Sequence, residues 1–353
     1  MKAEKIRLVD ISELNEELEQ LVKQHERTLL LMDEETLEEC APHLIKSVGD
    51  AELATVPEGE AAKDIEIAIH LWKLLLERQF GRDDLLITLG GGAISDLGGW
   101  VASNYKRGMR LCHIPTTLLG MIDASIGGKT AIDMGGVKNA VGSFYSAEQV
   151  LLCPEFLETL PERELLSGWG EVLKYALLGH LELEEILCLD PREEHFSIPS
   201  KLILQSAEAK QAVVGGDPFD SGSRKQLNLG HTFGHALESL CTIAGSTERL
   251  PHGVAVAAGL VCELYLSHLE YGYPQQLLTT VARYIRDTLP RVGLQCTMYD
   301  DLYRIALNDK KNSQSGEVNC TLLKAPATPV YNVGVGRARW DEALDFYRDF
   351  MGV

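Results

Sequence analysis

Positive charge is scarce in this chain. Its 33 lysines and arginines stand against 52 aspartates and glutamates, a formal net charge of −19 at pH 7. A nucleic-acid backbone is gripped by a basic footprint, so general nucleic-acid binding is excluded from the expected functions. An anionic small molecule stays compatible, provided its lysines and arginines gather locally against the global field. Cysteine pairs are missing too. The eight cysteines, at 40, 112, 153, 188, 241, 262, 296 and 320, show no CxxC pair and no regular spacing. Several sit in apolar runs, such as Leu151-Leu152-Cys153, which predicts reduced, mostly buried thiols in a cytosolic protein. Long hydrophobic runs are also lacking. The longest uncharged one, Gly253 to Cys262, is short for a membrane span, and the stretch MKAEKIRLVDISEL carries charge throughout. A soluble cytoplasmic protein with no membrane partner is the expectation.

What is present is ordinary globular composition: 353 residues, 45% hydrophobic and 24% charged, enough for two domains with sizeable cores. Thr28–Met32, Leu85–Leu89, Arg110–Ile114 and Gln149–Cys153 read as buried strands. Between them, Lys63–Gln79 spaces Ile65, Ile69, Trp72 and Leu76 as a helix face. Such alternation predicts a parallel α/β layer. After Pro154, helical patterns dominate: 163–178, 200–213, 231–242, 254–271, 275–288 and 340–351, with one β-rich patch over Val318–Leu323. The expected division is an α/β domain over 1–155 and a mostly α-helical domain over 156–353.

Five motifs bear on chemistry. Gly90-Gly91-Gly92, with Asp96 and Gly98-Gly99, follows a strand and opens a helix, the arrangement that lets backbone N–H groups approach a pyrophosphate. Thr116-Thr117, Asp123, Gly127-Gly128-Lys129-Thr130 and Lys138-Asn139 form a loop-like region suited to phosphate. Glu171 and Lys174 share a helix face, which alone would read as an exposed ion pair. His231 and His235 have metal-ligand spacing on a helix, and His252-Gly253 brings a third of the ten histidines, with Glu171 a candidate oxygen ligand. Lys210, Asp220, Arg224 and Lys310-Lys311 are cations, with one carboxylate, whose meaning depends on what gathers them.

In order and spacing these motifs resemble the 3-dehydroquinate synthase family of sugar phosphate cyclases. The resemblance runs from Asp33 to Lys311 and includes Gly59-Glu60-Ala61-Ala62-Lys63 and Lys106-Arg107-Gly108. It implies a Rossmann-like amino-terminal domain, a helical carboxyl-terminal domain and a homodimer. It further implies that Asp33, Glu60, Lys63, Gly91, Gly92, Asp96, Thr116, Thr117, Lys138 and Thr159 hold NAD. Glu171, His231 and His252 would bind Zn2+ or Co2+, and His235 becomes a substrate or proton-relay residue instead of a ligand. Lys129, Asn139 and one or both of Lys310 and Lys311 would hold phosphate, with Arg107 from the partner subunit. Asp123, Lys174, Lys210, Arg224 and Asn228 would grip the ring hydroxyls and carboxylate.

The implied reaction turns 3-deoxy-D-arabino-heptulosonate 7-phosphate into 3-dehydroquinate and phosphate, with transient oxidation and no net redox. The chain departs from the family pattern at Asp220, where glutamate is usual, and at Ser223, Glu35 and Gly136-Val137-Lys138-Asn139. Rival readings are an inosose- or valiolone-type cyclase, a metal-dependent polyol or glycerol-phosphate dehydrogenase, and an inactive binding protein of the same fold.

Overall fold

The computed structural model describes residues 4–44, 46–135, 137–194, 196–243, 249–308 and 316–353. The chain forms two compact units: Met1–Pro161 with Pro199–Phe219, and Glu162–Ile198 with Asp220–Val353. The first unit therefore runs past the boundary expected near residue 155 and takes in one later segment.

In chain order the first unit contains β1 (Lys5–Leu8), α1 (Ile11–Gln24), β2 (Thr28–Asp33), α2 (Glu34–Glu39), β3 (Glu52–Val56), α3 (Ile65–Glu77), β4 (Leu85–Gly90), α4 (Gly92–Asn104) and β5 (Arg110–Pro115). A hairpin, β6 (Lys129–Met134) and β7 (Val137–Phe144), precedes β8 (Gln149–Leu152). Part of the region expected to be a loop is thus antiparallel, with Ile132 opposite Val141. Its alternation is hidden because polar residues occupy much of both strands.

The main sheet has the order β1-β8-β5-β4-β2-β3, and every pairing is parallel. β2 and β4 are buried at every position, as strands covered on both faces must be. α4 lies close against this sheet because Gly98 has no side chain. A Cβ there would sit 2.2 Å from Thr88 Cγ2.

The second unit starts with α5 (Glu162–Leu177) and α6 (Leu183–Leu187). The chain then returns to the first unit as α7 (Ser200–Gly216). That return is fixed by side chains: Gln211 Nε2 donates to Glu4 O at 2.6 Å, and Lys210 reaches Asp123. The rest is α8 (His231–Ile243), α9 (His252–Tyr271), α10 (Gln275–Thr288), α11 (Tyr299–Leu307), the hairpin β9 (Val318–Ala325) and β10 (Thr328–Val335), and α12 (Arg337–Met351).

α9 is the central helix of this unit, apolar on nearly every side. With 20 residues it is long and apolar enough to cross a membrane by length and composition, unlike the shorter run singled out in the sequence. Of its most apolar window, 78% is buried inside the fold, so packing accounts for its character.

Candidate active site

The first unit collects polar groups beyond the carboxyl ends of its parallel strands, the edge where open α/β sheets take ligands. β2 ends at Asp33, β4 at Gly90 and β5 at Pro115, directly before Thr116 and Thr117. Gly91 is the N-cap of α4 and makes no side-chain cap, which leaves first-turn N–H groups for an anion. Asp33 caps α2, its Oδ1 accepting from the Thr36 N–H at 2.8 Å.

Lys63 is the most buried cation of this set, at 3% exposure. Its Nζ donates to Asp96 Oδ2 at 2.7 Å and to the Asn139 side-chain oxygen, with a Glu60 oxygen 3.9 Å away. Burial alone would lower the Lys63 pKa, but the carboxylates of Asp96, Glu60 and Asp133 outweigh it and the net shift is upward. Burial lifts Asp96 to about 6 against the pull of Lys63. The β6–β7 hairpin delivers Asn139 here. Asp133 N–H donates to Lys63 O at 2.8 Å, and Asn139 N–H donates to Asp133 Oδ1 at 2.8 Å. Asn139 takes a φ of 50°, a left-handed conformation that asparagine tolerates. Lys63, expected at the cofactor, and Asn139, expected at phosphate, thus meet side chain to side chain.

Asp123 lies on a π-type turn over Gly120–Ala124, closed by Ser125 N–H to Gly120 O at 3.2 Å, with the Gly120 N–H donating to Thr117 Oγ1 at 3.0 Å. Such turns recur at functional sites. Lys210 on α7 donates to Asp123 O at 2.7 Å and pairs with Asp123 Oδ2 at 3.0 Å. It is buried, which removes the reading of Lys210 as a surface cation. Lys129, Lys138, Thr159 and Arg107 are exposed. Arg107 stands on a strained turn where Lys106, Arg107 and Gly108 have φ of 48°, 68° and 115°.

The second unit builds its set from three helices. α5 supplies Glu171 and Lys174, at 0% and 1% exposure, so this pair is buried rather than a surface ion pair. α8 supplies His231 and His235, and α9 begins with His252. His231 Nε2 and His252 Nε2 both lie 3.4 Å from Glu171 Oε1. The nearest ligand-capable nitrogens of His231, His235 and His252 fall within 4.8 Å of one another.

The other ring nitrogens are engaged. His231 Nδ1 lies 3.1 Å from Leu229 O, and His252 Nδ1 lies 2.9 Å from Glu238 Oε2. Burial opposes a charge on His252, yet Glu238 and Glu171 raise its pKa to about 10. Two imidazoles and a carboxylate are the donor set of many catalytic zinc sites. A tetrahedron with metal–ligand arms of about 2.0–2.1 Å has edges of about 3.3–3.4 Å, which is the separation of Glu171 Oε1 from each of the two histidine nitrogens. The donors fit a divalent metal.

Arg224 is buried in the short turn over Ser223–Asn228, and Asn228 ends that turn just before the His231 helix. Asp220 takes a φ of 56°. Lys310, Lys311 and Gly136 lie outside the described residues. Sequence reasoning missed Glu238, which stands three residues after His235 and seven after His231. That i, i+4, i+7 spacing on one helix face was the available signal. It also missed Glu263, fully buried, whose Oε2 accepts from the Gly230 N–H at 2.6 Å and pins the turn into His231.

The fold is shared with two solved synthases that carry NAD+ and a divalent metal. The chain is similar to 2-epi-5-epi-valiolone synthase (ValA) of Streptomyces hygroscopicus subsp. jinggangensis 5008, solved with NAD+ and Zn2+, at a TM-score of 0.80 and 23% identity, covering 99% of this chain and 98% of that one. It is similar also to a 2-deoxy-scyllo-inosose synthase complexed with carbaglucose-6-phosphate, NAD+ and Co2+, at 0.79 and 19%, covering 96% and 95%. By sequence the chain belongs to the 3-dehydroquinate synthase family: the family's N-terminal domain matches residues 53–167 and its C-terminal domain matches 168–312. The 3-dehydroquinate synthase of Parabacteroides distasonis is 39% identical over 345 residues, 97% of this chain and 96% of that protein. That of Latilactobacillus sakei is 42% identical over 282 residues, 78% and 75%.

Proposed function

We propose that this protein is a 3-dehydroquinate synthase, a phosphate-eliminating lyase of the shikimate pathway that acts on 3-deoxy-D-arabino-heptulosonate 7-phosphate. The observation that carries the reading is the meeting of His231 and His252 at one oxygen of Glu171, in a chain that matches the family over both domains. Exposed Met134, Val137, Phe144 and Phe219 on the first unit support a homodimer, and buried free thiols support a cytoplasmic location.

Glu171, His231 and His252 would hold the divalent metal, while Asp33, Glu60, Lys63, Gly91, Gly92, Asp96, Thr116, Thr117, Lys138 and Thr159 would hold NAD. When bound, the metal would supply polarisation of substrate hydroxyls and NAD a reversible hydride acceptor, with no net redox change. The remaining roles belong to the chain's own groups. Lys210 holds Asp123 by both its carbonyl and its carboxylate, fixing an acceptor for a ring hydroxyl. Lys63 holds the Asn139 amide, which would orient the phosphate with Lys129, the partner's counterpart of the Arg107 turn, Lys310 and Lys311. Lys174, Arg224 and Asn228 would face the substrate's carboxylate and hydroxyls, and His235 would move a proton between hydroxyl and solvent. Cations that converge on a polyanionic substrate would stabilise it through preorganised charge.

The test is phosphate release from the heptulosonate phosphate with NAD and Zn2+, with the organic product identified. Phosphate plus dehydroquinate, without accumulating NADH, is the expected result. Turnover of a different sugar phosphate alone would make the chain a sister cyclase, and net NADH production would make it a dehydrogenase.

A further inference from the structure

Both histidines that meet at Glu171 are held the same way round. A neutral imidazole carries one N–H, so the ring nitrogen that donates decides which one keeps a lone pair. His231 Nδ1 faces the Leu229 carbonyl at 3.1 Å, and His252 Nδ1 faces Glu238 Oε2 at 2.9 Å. Neither a carbonyl nor a carboxylate can donate, so in the neutral rings Nδ1 carries the proton. Nε2 of each ring, 3.4 Å from Glu171 Oε1, is then the nitrogen whose lone pair would be free for a metal that displaces any proton held there.

The two supports differ in kind. His231 leans on main chain, in a turn pinned by Glu263 through the Gly230 N–H. His252 leans on a side chain that could have been something else. Glu238 is largely buried, with 11% of its side chain exposed, and it sits on α8 while His252 opens α9. One carboxylate thus couples the helix of one expected ligand to the ring of another. A carboxylate on Nδ1–H also makes Nε2 a stronger donor than a carbonyl would.

We infer that Glu238 is a positioning residue for the metal centre, orienting His252 and strengthening its Nε2 as a donor. The inference rests on the reading of Glu171, His231 and His252 as the metal ligands. Removing such an outer partner typically weakens metal affinity about 10–100-fold.

The experiment uses the full chain, stripped with a chelator and titrated with Co2+ against a competing chelator, for the wild type and for Glu238→Ala and Glu238→Gln. The Co2+ absorption spectrum and the metal dissociation rate are read on the same samples, and circular dichroism of the metal-free proteins checks that each variant folds. Glu238→Ala should bind Co2+ about 10–100-fold more weakly, release it faster and shift the absorption bands. Glu238→Gln, which keeps an acceptor without the charge, should fall between Ala and wild type. Affinity and spectrum within twofold of wild type in both variants would overturn the role of Glu238. A wild type that binds no stoichiometric Co2+, or a His252→Ala variant that binds it unchanged, would overturn the ligand assignment instead, so the two failures are distinct.

Discussion

Gly170 on α5 and Gly253 on α9 lie against each other with no room for a side chain. A Cβ on Gly170 would sit 2.0 Å from Gly253 O, and one on Gly253 would sit 1.6 Å from Ser167 O. The obstacles are backbone, which cannot swing aside. Each glycine is the chain neighbour of an expected ligand, Glu171 or His252, so the close approach of the helices is what brings those two side chains together.

Gly253→Ala should therefore force α5 and α9 apart and destabilise the protein by about 1–3 kcal/mol or more. It should also lower bound metal. Gly215→Ala on α7 meets nothing within 4 Å and serves as the control, expected to be neutral or to gain about 0.5–1 kcal/mol. Urea midpoints and metal content of the two variants make the comparison; equal midpoints would contradict the packing argument.

Glu171→Gln should lose the metal and at least two orders of magnitude of activity, and it leaves Lys174 buried without its carboxylate. Breaking a buried pair on one side costs about 3–5 kcal/mol. The double variant Glu171→Gln with Lys174→Met should recover much of that stability and none of the metal. Elemental analysis and denaturation separate the two effects.

Asp96 titrates at about 6 in the folded chain against 3.8 ordinarily. Over that interval the folded state keeps a proton the unfolded state has lost. Its contribution to stability therefore falls as pH rises through the interval and is level above it. Compared with Asp96→Asn, the wild type should lose up to about 3 kcal/mol across this range. Paired urea titrations at several pH values would show the slope, and parallel curves would refute it.

Lys210→Met removes a grip on the Asp123 turn from α7, two contacts made by one ammonium. The expected result is a fall of about 10²–10³ in kcat, comparable to losing a preorganised polar group, with metal content unchanged. Steady-state kinetics and metal analysis on one preparation test both halves.

The central strands were legible because burial on both faces makes them continuous apolar runs, as in Thr28–Asp33 and Leu85–Gly90. β1 and β3 escaped notice because they are edge strands, half exposed and only four and five residues long. The β6–β7 hairpin escaped because polar residues mask its alternation. Among the site residues, the histidines at 231, 235 and 252 stood out by type and spacing, the set of Glu171 with His231 and His252 came from the family resemblance, and Glu238 did not stand out, since a glutamate on a helix has many ordinary uses.

From sequence alone came the residue types, their order, the strand-then-helix turn at Gly91 and the family resemblance. These depend on short-range rules: periodicity, caps and turns are decided within a few residues. Tertiary structure decided that α7 returns to the first unit, that Lys63 meets Asn139, and that His231 and His252 meet at one oxygen of Glu171. Those outcomes depend on packing between segments far apart in the chain, where a missing Cβ or a buried hydrogen bond sets which atoms meet.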